Sequence, residues 1–171
     1  MTEKSPMISI AGIAEKKLVE DRLSNFLDFY DYINEHKLGT RKITNRFEIR
    51  WTITYKDKKI GAFHLHGDSW SVSFFHLFQT KKWFEYSEKY LTDEMKDFIL
   101  ANLNTTASCC VNKKCHSIEN ATILGKMINE RICVCSPFAI NNPNGKTLSY
   151  AKELLTICRN TFVDMDRNGI I

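Results

Sequence analysis

No stretch of this chain approaches the roughly 18 consecutive apolar residues that a membrane-crossing helix needs. Residues 1–14 also lack the sustained apolar core of a signal peptide, because the apolar run at 7–13 is brief and follows Glu3. A reducing, cytoplasmic setting is therefore expected. There, clustered thiols point to metal or redox chemistry more than to structural disulfides. Cys-x-x-Cys is missing, so a thioredoxin-type reaction has no motif to stand on. Also missing are a P-loop, a dinucleotide glycine fingerprint, a Ser-His-Asp motif and paired carboxylates, which disfavours a conventional hydrolase or nucleotide enzyme. Repeats and low-complexity segments are absent as well.

Charge of one sign is in short supply. The 24 basic and 20 acidic residues leave a formal charge of only +4, and the lysine doublets (Lys16-Lys17, Lys58-Lys59, Lys81-Lys82, Lys113-Lys114) are scattered. Nucleic-acid binders carry a clustered basic stripe, so that class of partner is disfavoured. A small-molecule ligand and a homodimer stay open, and a membrane partner is not expected.

What is present is an ordinary globular balance: 171 residues, 43% hydrophobic and 26% charged. That length fits one domain over 1–171, able to bury a core without a metal or disulfide to hold it. Within 18–37, Leu23, Phe26, Leu27, Tyr30 and Ile33 recur at helical steps, with Asp21 or Ser24 as N-cap and Gly39 as the stop. The period then becomes two. Phe47, Ile49, Trp51, Ile53 and Tyr55 alternate with Arg46, Glu48, Arg50, Thr52 and Thr54. A second strand covers 60–66, and a third carries Trp70, Val72, Phe74, His76 and Phe78, with turns at 56–59 and 67–68.

Helices are predicted over 82–91, over 93–104 with Thr92 as cap, and over 148–163. Between them lie an irregular cysteine-bearing segment at about 105–121 and one or two strands within 122–140, with Asn129-Glu130 as a turn. The fold class predicted is α+β: a three-strand antiparallel meander plus one or two later strands, packed against helices.

Two residue sets carry chemistry. Five of six cysteines fall between Cys109 and Cys135, with His116 beside Cys115. Zinc needs about four converging ligands, commonly two short pairs and a connector. Cys110, Cys115, Cys133 and Cys135 are the predicted set, with Cys109 and His116 as alternates. The pair spacings, Cys110-x4-Cys115 and Cys133-x-Cys135, depart from the two-residue knuckle. Cysteines at i and i+2 of an extended strand also face opposite ways. Packing of these cysteines, or a redox disulfide, are the competing readings. Cys158 sits on the inward face of the last helix and is read as core.

The second set is on the sheet. His64 and His66, two apart in a strand, share a face, with His76 on the neighbouring strand. They would form a catalytic metal site if a carboxylate joined them. Trp51 and Trp70, with those histidines, are the residues expected at a small-molecule pocket, although the aromatic centre equally suits a helix-on-sheet core.

The opening helix with FLDFYDYINEH, the strands IRWTITYKDKKIGAFHLHGDSWSVSFF, and the later run CVNKKCHSIENATILGKMINERICVCSPFAINNPNG before a closing helix make a recognisable combination. It resembles a group of small bacterial proteins with a tryptophan-containing meander and a cysteine-rich C-terminal half. Their pattern runs Cys…Cys…Gly-Lys…Cys, then an Asn/Asp-rich turn and a helix. Cys110, Cys115, Gly125, Lys126 and Cys133 occupy those places here. More remotely, the meander is similar to that of YjbR-like proteins, an α+β fold with a twisted antiparallel sheet. The resemblance implies a bacterial cytosolic protein and carries over no activity. The function expected is a non-enzymatic binding or regulatory module whose C-terminal half is stapled by zinc. The alternatives are a small-molecule-sensing domain with an aromatic pocket and a metal-dependent enzyme using His64, His66 and His76.

Overall fold

The computed structural model describes residues 9–44, 48–74, 85–103, 117–118, 120–130, 132–133 and 138–170. Helix α1 (Ile10–Glu15) was not foreseen from sequence. It is short, and Ser9 Oγ caps it by accepting the Gly12 N–H at 3.0 Å. Helix α2 (Glu20–Glu35) buries Phe26, Phe29 and Ile33, at i, i+3 and i+7. Neither Asp21 nor Ser24 caps it. Val19 stands at the N-cap without a side-chain bond, and Glu20 and Asp21 supply negative charge to the first turn.

A strand that the pattern did not reveal comes next: β1 (Gly39–Thr44) pairs antiparallel with β2 (Ile49–Tyr55). It is an edge strand among the described residues, and it lacks apolar alternation because Gly39, Thr40, Arg41, Lys42 and Ile43 are all exposed, so neither of its faces is covered. β3 (Lys58–His66) and β4 (Ser69–Ser73) complete the meander in the register 1-2-3-4. Its turns are tight. Lys56 and Asp57 both take positive φ, 45° and 62°, matching the twist of the β2–β3 hairpin, and Gly67 takes φ 57° in the next. The Arg22 guanidinium donates to the Asp68 carbonyl at 2.9 Å and to its carboxylate at 3.0 Å, tying α2 to that turn.

The fifth strand of the sheet arrives from far along the chain. β9 (Ala139–Asn141) pairs antiparallel with β4, so the architecture is α+β around an antiparallel sheet. Before it come two short ladders: β5 (Ser117–Ile118) with β8 (Ile132–Cys133), and β6 (Ala121–Ile123) with β7 (Lys126–Ile128). The β6–β7 hairpin turn is Leu124-Gly125, both at positive φ, while the polar pair Asn129-Glu130 lies between β7 and β8 with a bend at Glu130. Part of the segment read as irregular therefore forms a strand, at 117–118.

Of the helix predicted over 82–91, residues 85–87 are helical and Glu88–Tyr90 form a 3-10 turn; 82–84 lie outside the described residues. Helix α3 (Asp93–Ala101) is capped by Thr92, whose Oγ1 accepts the Met95 N–H at 3.2 Å. Helix α4 (Gly145–Arg167) starts three residues earlier than the apolar pattern does. The Asn144 N–H donates to Thr147 Oγ1 at 2.9 Å, which closes its first turn. Leu148, Ala151, Leu154, Leu155 and Cys158 are buried as predicted.

The core lies where α2 and α4 cover one sheet face. Phe26 meets Trp51, Phe63 and Trp70 edge-on, with ring centroids 6.1, 5.6 and 5.3 Å away. Farther along, Gly61 leaves room for Leu155: a Cβ there would lie 3.3 Å from Leu155 Cδ2. No helix among the described residues is long and apolar enough to cross a membrane.

Candidate metal site on the polar sheet face

The opposite face is built by strand register. A hairpin with a two-residue turn at Lys56-Asp57 starts by pairing Tyr55 with Lys58 and Thr54 with Lys59. Continued without interruption, that register would set Trp51 across from Ala62 and Phe63 across from Arg50, mixing the two faces. A bulge between Ile53 and Thr54 shifts the pairing by one, and Ile53 meets Gly61 instead. Because a one-residue slip moves every side chain to the other side, this bulge sorts the sheet. Trp51 now sits beside Phe63, and Arg50 beside His64.

Three polar rows result. In the outermost, Glu48, which directly precedes β2, reaches His66, and His66 is paired with Ser69. The next crosses Arg50, His64, Ser71 and Asn141, and the third Thr52, Ala62, Ser73 and Ala139. A solvated polar face would leave these groups wet. Here Thr52, His64, Ser71 and Ser73 are all buried, none more than 8% exposed.

Glu48, His64 and His66 each direct one ligand atom to a common point, all three atoms within 4.8 Å of one another. Glu48 Oε2 lies 3.4 Å from His64 Nδ1 and 3.5 Å from His66 Nε2. The two imidazoles are parallel, 6° apart in plane. Behind them, His64 Nε2 is 2.9 Å from Ser73 Oγ, and that hydroxyl donates its single proton to the Ala62 carbonyl at 3.5 Å. The His64 ring thus sits between Ser73 Oγ and Glu48 Oε2, one ring nitrogen facing each. Burial pulls the His64 pKa below its ordinary value, outweighing the opposing pull of the Glu48 carboxylate; Arg50 and His66 push it the same way as burial. The neutral imidazole is thus favoured, and His64 Nδ1 lies within hydrogen-bond reach of Glu48 Oε2 at 3.4 Å.

The predicted residues divide sharply. His64 and His66 come together, and the carboxylate that the histidine reading required is Glu48, which sequence reasoning had registered only as a polar member of the β2 alternation. A bulged hairpin register was the signal that could have found it. His76 lies outside the described residues. So do Cys109, Cys110, Cys115, His116 and Cys135, while Cys133 is placed by its backbone, opposite Ser117. Cys158 is fully buried, and burial pushes its thiol pKa well up, as fits a packing residue.

Trp51 and Trp70 are each 1% exposed beneath α2 and belong to the core. Trp70 also borders a cavity of about 510 Å³ with Asp21, Arg22, Asn25 and Asn142. Its lining is polar, not the aromatic pocket expected from composition. Comparison of the chain with family models, with curated proteins and with solved structures returns no match.

Proposed function

We propose that this protein is a metal-binding module, and that a divalent transition ion such as zinc is held on the sheet face by Glu48, His64 and His66. The observation that supports the reading is the convergence of one ligand atom each from Glu48, His64 and His66, all within 4.8 Å of one another.

The dimensions fit. A tetrahedral ion about 2.1 Å from each ligand holds neighbouring donors about 3.4 Å apart. The two edges to Glu48 measure 3.4 and 3.5 Å, and the remaining edge closes by movement of His66, the most exposed of the three. One carboxylate and two imidazoles suit zinc and other borderline divalent ions better than calcium or magnesium. Three protein ligands leave at least one position open, the arrangement of sites that act on a ligand rather than staple a fold.

Elemental analysis of protein purified without chelator, followed by zinc titration of chelator-treated protein, tests the reading. One ion per chain is expected in the wild type, with binding weakened at least about tenfold in His66→Ala. The double variant H64Q/H66Q is expected to bind none. An equivalent that survives in the double variant belongs to the cysteines, at Cys110, Cys115, Cys133 and Cys135 or their alternates Cys109 and His116, and overturns the sheet site.

A further inference from the structure

The two histidines offer different ring nitrogens to the common point. His64 presents Nδ1, 3.4 Å from Glu48 Oε2, and His66 presents Nε2, 3.5 Å from the same oxygen. His66 closes β3 and is exposed, whereas His64 stands two residues inward and is buried. A ring that gives Nδ1 to an ion turns Nε2 away from it, and Nε2 must then carry the one proton of the neutral ring. In a buried ring that N–H needs an acceptor.

Strand register places one there. The β3–β4 ladder pairs His64 with Ser71 and Ala62 with Ser73, so Ser73 is the diagonal neighbour of His64 on the same face. Ser73 Oγ lies 2.9 Å from His64 Nε2. The serine is 3% exposed, and its strand is held on both sides, by Ala62 of β3 and Ala139 of β9. Its own proton has the Ala62 carbonyl at 3.5 Å, which leaves the oxygen's lone pairs for the ring.

Resting on the metal reading above, we infer that Ser73 is the positioning residue of the site: it holds His64 with the proton on Nε2, so that the ion is bound through Nδ1 of His64 and Nε2 of His66. Ser73 does not touch the ion. It acts through the ring, fixing which nitrogen faces the ion and at what angle. A ring N–H donated to a fixed acceptor also makes the opposite nitrogen a stronger ligand. Outer partners of this kind are worth about 10–100-fold in metal affinity.

The experiment uses zinc and chelator-treated full-length protein. Long-range correlation of proton and nitrogen-15 signals in the histidine rings shows which nitrogen carries the proton and which the ion, and the signals lost in His64→Gln supply the assignment. In the zinc-loaded wild type, His64 is expected with its proton on Nε2 and the ion on Nδ1, and His66 with the reverse. This measurement needs no change at Ser73, so it decides the matter even where substitution there disturbs folding.

Competition with a chromophoric chelator then gives affinities. Ser73→Ala is expected to weaken zinc at least about tenfold. Ser71→Ala removes a hydroxyl from the same face and strand and should stay within about twofold of wild type. No zinc on either histidine in the wild type overturns the metal reading beneath this one. Zinc held on the histidines with His64 coordinating through Nε2 overturns the Ser73 inference and leaves the metal site standing. Equal affinity in wild type and a folded S73A protein, or equal losses in S71A and S73A, does the same.

Discussion

On the helix side of the meander, Trp51, Ile53, Phe63 and Trp70 meet α2 and α4 and are at most 1% exposed. On the other side, Thr52, His64, Ser71 and Ser73 reach at most 8%. Similar burial on the two sides has opposite energetic meaning. Apolar area removed from water stabilises by about 25 cal/mol per Å², so the helix side accounts for why the domain folds. Polar groups removed from water cost free energy unless each finds a partner, and Thr52 Oγ1 has none. A sheet needs only its first face to fold. The second is kept polar, and covered, for some other reason, and that makes it the place to seek function.

The contrast can be tested from its strongest side first. Phe26→Ala removes the ring that touches three aromatic neighbours and is expected to cost about 3–5 kcal/mol in chemical denaturation. A cost near that of a surface change would mean that the helix side is not the core. Gly61→Ala comes next. Its new Cβ would lie 3.2 Å from the Ser73 carbonyl and 3.3 Å from Leu155, backbone and packed core that yield little, and about 1–3 kcal/mol should be lost.

Thr52→Val carries the opposite sign. It keeps the shape and deletes the unpartnered hydroxyl, so the variant should gain about 1 kcal/mol, read in the same denaturation assay without added ligand. A clear loss would show that the hydroxyl is already satisfied.

The smallest effect is in pH. His64 has a folded pKa below the ordinary 6.5, so as pH falls the unfolded chain takes up the proton first. Its contribution to stability is complete above pH 6.5 and is lost as pH drops from there through the folded pKa. In chelator-treated protein the wild type should weaken on that descent, while His64→Gln should show a flatter profile. Parallel profiles in the two proteins would mean that His64 is not held neutral.

Much of the helix side was legible in the sequence, because periodicity reports it directly. Phe26 and Ile33, the alternation through Trp51, and Leu148 to Cys158 all emerge from apolar spacing. Phe29 was passed over, although it completes the α2 stripe, and α1 is too short for a period to show. Strand β1 stayed hidden because its residues are exposed and so carry no apolar period. Of the polar face, the histidine pair was visible and its carboxylate was not. Pairing Glu48 with His66 depends on the bulge at Ile53/Thr54, and a bulge is a property of two strands together. In one strand read alone, Glu48 looks like any solvated residue.

The hairpin turn at Lys56-Asp57 has a consequence in time. Glu48, His64 and His66 all belong to one local unit, whose strands close on each other through two residues. Such hairpins form within about 1–10 μs, whereas β9 and α4 must be brought back from much later in the chain. During synthesis the three residues of the proposed site therefore lie on a segment that leaves the ribosome well before the final helix exists.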